Sequence, residues 1–405
     1  MRHVRSTLVG PGLALVAIVL MAAALRPGAT SVGPLMTEIT EGLGMSAAVA
    51  GVLTALPGFT FAAIGVVAVM VSRRFGLTGA LLLGVVLLVV GLLLRTFTGS
   101  TVAFLACTLL LLTGMGLGTI LVPPWIKRHG GEHVTRLMTA YSVTLLLGGS
   151  VGSMLASPVA QLAPGGWRAA LGMWGLLAIV GLVPWIVLAR RERADLADRA
   201  GAALLPPTGS LLRSPTATAL AAFCGAQFLI AYVQFGWMPQ MFRDAGLSPN
   251  AAGVMLGMVS LVAIIGGFLT PPWVARSSNL TVGMLVLGLV TVIAWGGMLV
   301  APAALPWLWS VLMGIGAWTF PAGIAMITAR TREPEITARV SGFVQPFAYL
   351  MAGIGPLVVG VVYEEAGGWT AVLWGLVVVS VLMTIAGLRL TRQTFVDDEI
   401  RLNAD

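Results

Sequence analysis

The sequence predicts an all-α membrane protein with twelve transmembrane helices in two pseudo-symmetric six-helix bundles. Three observations support this fold class: an apolar composition, twelve long apolar runs and an internal duplication. The 405 residues are 58% hydrophobic and only 9% charged, with a mean hydropathy of +0.97. Soluble domains carry about 25% charged residues. This chain has too few charges to cover a surface in water, so its apolar side chains must face lipid.

Twelve apolar runs are long enough to cross a bilayer, which takes about 20 residues. The first six lie near residues 9–34, 47–71, 77–96, 101–123, 135–160 and 167–189. The second six lie near 215–241, 250–273, 280–300, 304–328, 338–362 and 368–390. This order predicts an N-terminal bundle over 1–189, a cytoplasmic linker over 190–214, and a C-terminal bundle with a short cytoplasmic tail over 215–405.

The two groups of six runs resemble copies of each other. Each of these pairs is separated by the same offset of 202 residues: Gly44–Ser46 with Gly246–Ser248, Ala50–Val52 with Ala252–Val254, Gly165–Trp167 with Gly367–Trp369, and Arg74 with Arg276. One offset at distant places along the chain indicates a duplicated six-helix unit. Such repeats are typical of transporters that bind their solute near the bilayer midplane.

The distribution of basic residues predicts the orientation of the chain. With both termini in the cytoplasm, 19 of the 23 Lys and Arg residues fall on the cytoplasmic side. Arg95, Arg168 and Arg243 would lie in outer loops or at outer span ends, and Arg26 lies within a span. Because cytoplasmic loops are enriched in Lys and Arg, we expect a multi-pass membrane protein with both termini in the cytoplasm.

The same distribution argues against other classes of function. The net charge of +8 marks cytoplasmic loops rather than a surface that binds nucleic acid. The sequence His129–His133 matches an inverted zinc-protease pattern, but its two central glycines disfavour the helix that this chemistry requires. With no visible nucleophile–base pair or metal cluster in the spans, we expect neither an enzyme nor a bound cofactor or metal.

Several motifs resemble the cyanate permease/2-nitroimidazole transporter branch of the major facilitator superfamily. They cover nearly the whole chain: the run Arg26–Leu35, then Glu38-Ile39, Leu43–Ser46, Leu53–Pro57, Arg73–Gly76, Lys127-Arg128, Gln227, Trp237–Pro239 and Ser341–Gln345. The resemblance implies the major facilitator fold and a secondary transporter that works by alternating access. With the single Lys among many Arg residues, it also indicates a bacterial inner membrane. Because one chain supplies both halves of the pathway, we expect it to function as a monomer in the lipid bilayer.

The loop after the second span departs from the superfamily pattern. Gly65 is followed by Val69 where an Asp is usual, although Arg73 and Arg74 remain. The charge lock on the cytoplasmic side is therefore altered. Arg73, Arg74 and Glu38, which lies at the outer end of the first span, are the candidate gating residues.

Arg26 is the strongest candidate for contact with a solute. It lies within the first apolar run, where burial of a charge costs about 2.5–3.5 kcal/mol on insertion scales, and Pro27-Gly28 weaken the helix beside it. A guanidinium donates in a planar fork that suits carboxylate, nitro or cyanate-like acceptors. The alternative is that the span ends near Ala29 and Arg26 extends outward to the interface.

Uncharged polar and aromatic side chains supply the other candidate binding residues. Amides and phenols hold a polar solute without the desolvation cost of a full charge, although bonding between helices is the alternative for each of them. A tryptophan in the middle of a span could stack on a flat solute. The candidates are Gln227, Tyr232, Trp318, Gln345, Tyr349 and Tyr141.

These observations predict transport of a small anionic or polar solute, such as a cyanate-like anion, a small carboxylate or a nitroaromatic. Its site would lie between the two halves, with contributions from Arg26, Gln227 and Gln345. The alternative is an exporter of neutral drug-like aromatic compounds, in which Arg26 could be neutralised without loss of transport.

Overall fold

The computed structural model of the chain describes residues 10–192 and 211–402. Within these ranges the ordered elements are helices, and no strand occurs. The main helices are α1 Pro11–Leu25, α2 Pro27–Thr30, α3 Met36–Leu43, α4 Ala47–Phe97, α5 Thr101–His129, α6 Val134–Leu162, α7 Gly166–Glu192, α8 Pro215–Asp244, α9 Pro249–Arg276, α10 Thr281–Val300, α11 Pro306–Gly316, α12 Thr319–Ala329, α13 Pro334–Ala366, α14 Thr370–Arg389 and α15 Val396–Leu402. The all-α class is confirmed.

Twelve helical segments of the described chain are long and apolar enough to cross a membrane, as predicted. They are Gly12–Leu43, Ala47–Gly65, Met70–Phe97, Thr101–His129, Arg136–Leu162, Gly166–Glu192, Pro215–Asp244, Pro249–Arg276, Thr281–Val300, Pro306–Ala329, Arg339–Ala366 and Thr370–Arg389. The first span extends to Leu43, beyond the predicted end near residue 34, because polar residues of α3 continue the helix. Most of the predicted linker lies outside the described residues.

Three of the helical runs are interrupted. The first span is divided into α1, α2, a 3₁₀ turn at Gly33–Leu35, and α3. The long run α4 holds the second and third spans, and its backbone leaves helical geometry at Gly76, which has φ 74° and ψ 167°. The tenth span is broken between α11 and α12 at Ala317 and Trp318. Broken spans expose backbone groups within the membrane region, where they need other partners.

The chain forms two compact units, and each unit combines two segments that are not contiguous in the sequence. The first unit comprises Met1–Gly44 and Ala63–Ala203, and the second comprises Met45–Ala62 and Leu204–Asp405. The N-terminal part of α4 therefore belongs to the second unit, where glycines bring it against α13. A Cβ on Gly58 would lie 2.1 Å from the backbone nitrogen of Gly353. The predicted bundle boundaries at residues 189 and 215 remain predictions.

The duplicated sequence forms the same local structure twice. Gly44 has φ 63° and Gly246, 202 residues later, has φ 100°, a region of backbone conformation that favours glycine. Each is followed by a serine that caps the next helix. Ser46 Oγ accepts from the Val49 amide at 3.4 Å, and Ser248 Oγ accepts from Ala251 at 3.2 Å.

The acidic helix α15 is docked within the second unit, at the ends of two spans. The Glu399 carboxylate accepts hydrogen bonds from the Thr216 amide at 3.0 Å, the Thr216 hydroxyl at 2.7 Å and the Ser214 hydroxyl. Asp397 accepts from the amides of Arg332 and Glu333, both at 3.0 Å. Carboxylates at helix N-termini satisfy free amides and interact favourably with the helix dipole, so α15 caps both α8 and α13.

A buried guanidinium completes the attachment of this tail. Arg330 donates from Nε to the Leu390 carbonyl at 2.8 Å, and its own carbonyl accepts from the Val396 amide at 3.0 Å. Burial lowers the pKa of Arg330 from its ordinary value. The tail is therefore held by backbone as well as side-chain bonds.

Substitution of Glu399 by Gln should lower the midpoint of thermal unfolding in detergent. The change weakens charged hydrogen bonds to the N-terminus of α8, each worth about 1.5–3 kcal/mol. The matched control is Asp398→Asn, because the Asp398 side chain is exposed and its carboxylate pairs with the Arg332 guanidinium at 2.7 Å. Exposed pairs contribute about 0–1 kcal/mol, so equal effects of the two variants would contradict the capping role.

Candidate functional site

The first span breaks at Arg26, near the middle of the helical segment Gly12–Leu43. Arg26 is at once the last residue of α1 and the cap of α2, and Pro27 follows it. The Arg26 side chain is half-buried, and its Nε is fully buried without a hydrogen-bond partner among the described residues. Helix continues beyond Arg26 to Leu43, whereas the alternative interpretation expected the span to end near Ala29.

Hydroxyl groups join the broken segment to α6. The Thr30 hydroxyl donates to the Gly149 carbonyl at 2.9 Å, and the Ser31 hydroxyl lies 3.0 Å from the Gly152 carbonyl and 2.7 Å from that of Pro27. These bonds fix α2 in place, as polar side chains commonly do between membrane helices.

The indole of Trp174 also holds the broken segment. It donates from Nε1 to the Ser31 hydroxyl at 3.0 Å, which connects α7 to α2. The break is therefore supported by two helices of the first unit, so the position of Arg26 is well defined.

Glycines of α6 allow this close approach. A Cβ on Gly152 would lie 2.6 Å from the Pro27 Cα, and one on Gly148 would lie 3.1 Å from the Ala23 carbonyl oxygen. Pro27 has no amide hydrogen to donate to the Ala23 carbonyl of the preceding turn. At Gly149, in contrast, a Cβ would meet Arg26 Cβ at 3.6 Å, an ordinary contact. The backbone of α6 is thus fitted against α2, with slightly more room beside Arg26.

Arg95 is a buried cation that the sequence interpretation placed at an outer span end. Its backbone does lie near the end of the third span, but its side chain is wholly buried. None of its three guanidinium nitrogens has a hydrogen-bond partner among the described residues. Its Nη2 lies 3.8 Å from the position of a Cβ on Gly28, so it approaches the break of the first span.

In the second unit, Gln227 is bound to the broken tenth span. The Gln227 side chain is buried, and its Oε1 accepts from the Thr319 hydroxyl at 2.5 Å. Trp318 donates from Nε1 to the Val262 carbonyl at 2.9 Å. Its ring packs on Gly266, where a Cβ would lie 2.2 Å from the indole. Both side chains therefore have partners that stabilise the break between α11 and α12.

Gln345 and Tyr349 lie one turn apart on α13 and are more accessible. Gln345 is exposed and Tyr349 is half-buried. The Tyr349 ring packs edge-on against Phe61, with ring centroids 5.6 Å apart, and against Phe228 at 5.0 Å. Because Gln345 and Tyr349 are four residues apart, their amide and phenol lie on one face of α13. The phenol belongs to an aromatic cluster of the second unit.

The other two tyrosine candidates are differently placed. Tyr141 is buried in the first unit, and its hydroxyl donates to the Thr119 carbonyl at 3.4 Å. Tyr232 is half-buried in the second unit and packs edge-on against Phe235. The predicted role of each as a binding residue stays a prediction.

The gating candidates lie apart from the Arg26 break along the chain. Arg73 and Arg74 are exposed just before Gly76, and the Arg74 guanidinium lies 5.6 Å from the centre of the Phe75 ring. Glu38 is half-buried in the first turn of α3, where the helix dipole favours a negative charge.

The His129–His133 sequence forms a helix end rather than a metal-binding helix. α5 ends at His129, and Gly131 has φ 49°. His129 uses Nδ1 to contact the Trp125 carbonyl at 3.0 Å, and its Nε2 lies 3.3 Å from Glu192. These contacts join α5 to α7 within the first unit.

Comparison with known proteins assigns the family. A profile of the Major Facilitator Superfamily matches residues 15–313. The chain belongs to this superfamily. The 2-nitroimidazole transporter of Escherichia coli (strain K12) is 31% identical over 95% of this chain and 95% of its own length. The cyanate transport protein CynX of the same strain is 26% identical over 88% of this chain and 91% of its own length.

Similarity to solved structures agrees with the superfamily fold. The crystal structure of the nucleoside transporter NupG matches with a TM-score of 0.76 over 94% of this chain and 99% of that chain, at 12% identity. Identity this low bears on the fold alone. The resemblance first drawn from sequence motifs is confirmed, and the chain is a multi-pass transporter of the superfamily. The alternative of a drug exporter is not favoured by these relatives.

Substitution of Gly152 by Ala should lower the midpoint of thermal unfolding, because it disturbs the packing of α6 on the broken first span. The added methyl group would overlap the backbone of Pro27, and overpacking typically costs about 1–3 kcal/mol. The matched control is Gly149→Ala, which makes only ordinary contacts and gains up to about 1 kcal/mol of helix propensity. Thermal unfolding of the purified variants should therefore shift in opposite directions, and equal shifts would contradict the packing of α6 on α2.

Proposed function

We propose that this chain carries a small anionic or polar solute across a bacterial inner membrane by alternating access. The solute class comprises cyanate-like anions, small carboxylates and nitroaromatics. The observation that supports this proposal most directly is the half-buried side chain of Arg26, a cation at the break of the first span.

The chemistry of Arg26 selects for an electron-rich solute. A guanidinium only donates hydrogen bonds, and a charge inside the membrane normally faces a partner or a water-filled cavity. A solute with accessible oxygen or nitrogen lone pairs supplies that partner. Bonds to a charged group are worth about 1.5–3 kcal/mol each, enough to favour an anion over a neutral molecule of similar shape.

The names of two relatives support the same class of solute. One relative is named for 2-nitroimidazole and the other for cyanate. A nitro group presents two oxygens in one plane, as a carboxylate does to the planar fork of a guanidinium. Cyanate carries a negative charge and can accept a charge-assisted hydrogen bond at either end. Both compounds are also small, as expected for a solute that passes through a narrow pathway.

Other residues are proposed to shape the pathway. Gln345 and Tyr349 are assigned to solute contact because they lie accessibly on one face of α13. Gln227 and Trp318 are already bound to groups of their own unit, so they are assigned mainly to supporting the tenth span. Tyr141 and Tyr232 remain candidate contacts of lower priority.

The proposed cycle follows from the duplicated architecture. A solute that binds both the inward- and outward-facing forms shifts the population between them without any chemical step, so no enzymatic activity or cofactor is invoked. Both termini are proposed to be cytoplasmic, with the chain functioning as a monomer. Glu38, Arg73 and Arg74 are the proposed gating residues.

The proposal predicts that an anion will stabilise the purified protein through Arg26. Cyanate, nitrate, small carboxylates and 2-nitroimidazole would be titrated against the detergent-purified chain while the midpoint of thermal unfolding is recorded. We expect saturable stabilisation by at least one of these solutes, and an apparent affinity about 10- to 100-fold weaker in Arg26→Gln.

The matched control is Arg168→Gln, another substitution of an arginine in the first unit. The Arg168 guanidinium lies 4.2 Å from the centre of the Trp167 ring and donates to the Thr98 carbonyl at 3.3 Å. Because its guanidinium already has these partners within the protein, Arg168 is not expected to bind the solute. It should leave the solute response unchanged. Stabilisation that keeps its wild-type concentration dependence in Arg26→Gln would reject Arg26 as the solute contact.

A further inference from the structure

A groove of about 810 Å³ lies between α8 and α14 in the second unit. These two helices carry the seventh and twelfth spans, and they pack side by side. Pro215, the first residue of the seventh span, and Arg389, the last residue of the twelfth, both line the groove. From Arg389 the groove reaches back to Leu382, seven residues or about 10 Å along the helix axis. It therefore opens at one surface of the membrane and extends into the membrane region.

The walls of the groove are apolar and open to lipid. Leu382 and Ile385 on α14 are 58% and 59% exposed, and Ala222 on α8 is exposed as well. Leu382, Ile385 and Arg389 lie on one face of α14, because they are three and four residues apart. Ala222 and Ala386 are small, so they leave space between the larger side chains. An exposed apolar surface of this kind marks contact with membrane lipid.

The mouth of the groove carries two arginines, Arg389 and Arg392, and both are exposed. Neither guanidinium has a hydrogen bond or an ion pair with another described residue. None of the described residues that line the groove is acidic. The Glu399 carboxylate, which caps α8, is already bound to Ser214 and Thr216. Within the described structure, the two positive charges at the mouth are therefore left for a ligand.

A ligand that fits both parts of the groove has an anionic head and a hydrocarbon chain. Guanidinium groups bind phosphate through paired N–H donors, and basic pockets between membrane helices bind lipid head groups. Inorganic phosphate would satisfy the arginines but would leave the apolar walls without a ligand. A zwitterionic lipid carries an ammonium group that offsets the charge of its phosphate. The charge and the apolar walls together favour an anionic phospholipid.

We propose that this groove binds one anionic phospholipid, such as phosphatidylglycerol. Arg389 and Arg392 bind its phosphate, and one acyl chain lies against Ala222, Leu382 and Ile385. With both termini in the cytoplasm, as proposed above, the site lies in the cytoplasmic leaflet. All of these residues belong to the second unit, so the lipid site does not depend on Arg26 or on the identity of the solute.

The test uses phosphatidylglycerol with a diazirine group in one acyl chain, added to the detergent-purified full-length chain. After irradiation, mass spectrometry of the peptides locates the attached lipid. We expect labelling of the peptides that contain Ala222 and Ile385, reduced by unlabelled phosphatidylglycerol but not by phosphatidylcholine. Equal competition by the two lipids would show that the head group is not recognised, and labelling spread evenly over the spans would show that no site exists. Either result would overturn the proposal.

Substitution of both Arg389 and Arg392 by Gln should raise the lipid concentration for half-maximal labelling about 25-fold, or about 5-fold for each charge removed. The matched control replaces Arg190 and Arg191 by Gln. These two arginines are exposed in the last turn of α7, at the end of the sixth span. The control should be labelled like the wild type. An equal loss of labelling in both double variants would assign lipid binding to overall charge and reject the groove.

The variant Ala222→Phe tests the apolar part of the groove while both arginines remain. Because Ala222 is exposed to lipid, the variant should fold, as checked by its midpoint of thermal unfolding in detergent. We expect labelling of the Ile385 peptide to be lost. Wild-type labelling in Ala222→Phe would place the lipid outside the groove. Displacement of the label by inorganic phosphate, at the concentration used for unlabelled phosphatidylglycerol, would identify a free anion as the ligand and overturn the lipid site.

Discussion

A helix that crosses a bilayer has to satisfy its backbone hydrogen bonds internally, since lipid offers no partners. The first span of this transporter breaks that rule at Arg26 and Pro27, so the rest of the first unit has to compensate. Hydroxyls of Thr30 and Ser31 bind carbonyls of α6, and the Trp174 indole binds Ser31. These contacts turn a weak point of the helix into a fixed position for a cation.

Close packing against glycine is the second means by which both units support their broken spans. In the first unit α2 lies against Gly152, and in the second Trp318, at the break of the tenth span, packs on Gly266. Membrane helices lack a hydrophobic force to join them and rely instead on close contact and polar bonds. The many glycines of this chain therefore contribute to how precisely its polar groups are placed.

The fold was predictable from the sequence because lipid imposes strong rules on composition and on the length of apolar runs. The duplication was also visible, since Gly44 and Gly246 mark the same backbone turn. The environment of Arg95 was not predictable, because a charge near the end of an apolar run is usually directed to the interface and only packing shows it turned inward. Similarly, the bond from Thr319 to Gln227 joins residues 92 positions apart, beyond the reach of local patterns.

The central claim is that Arg26, held at the break of the first span, binds the anionic solute that this superfamily member transports. It is tested most directly by uptake of ¹⁴C-cyanate into proteoliposomes that contain the purified chain, with Arg26→Gln, Arg26→Lys and Arg168→Gln compared. The account predicts saturable uptake that is abolished in Arg26→Gln, partly retained in Arg26→Lys and unchanged in Arg168→Gln. Uptake by Arg26→Gln at the wild-type rate would contradict it.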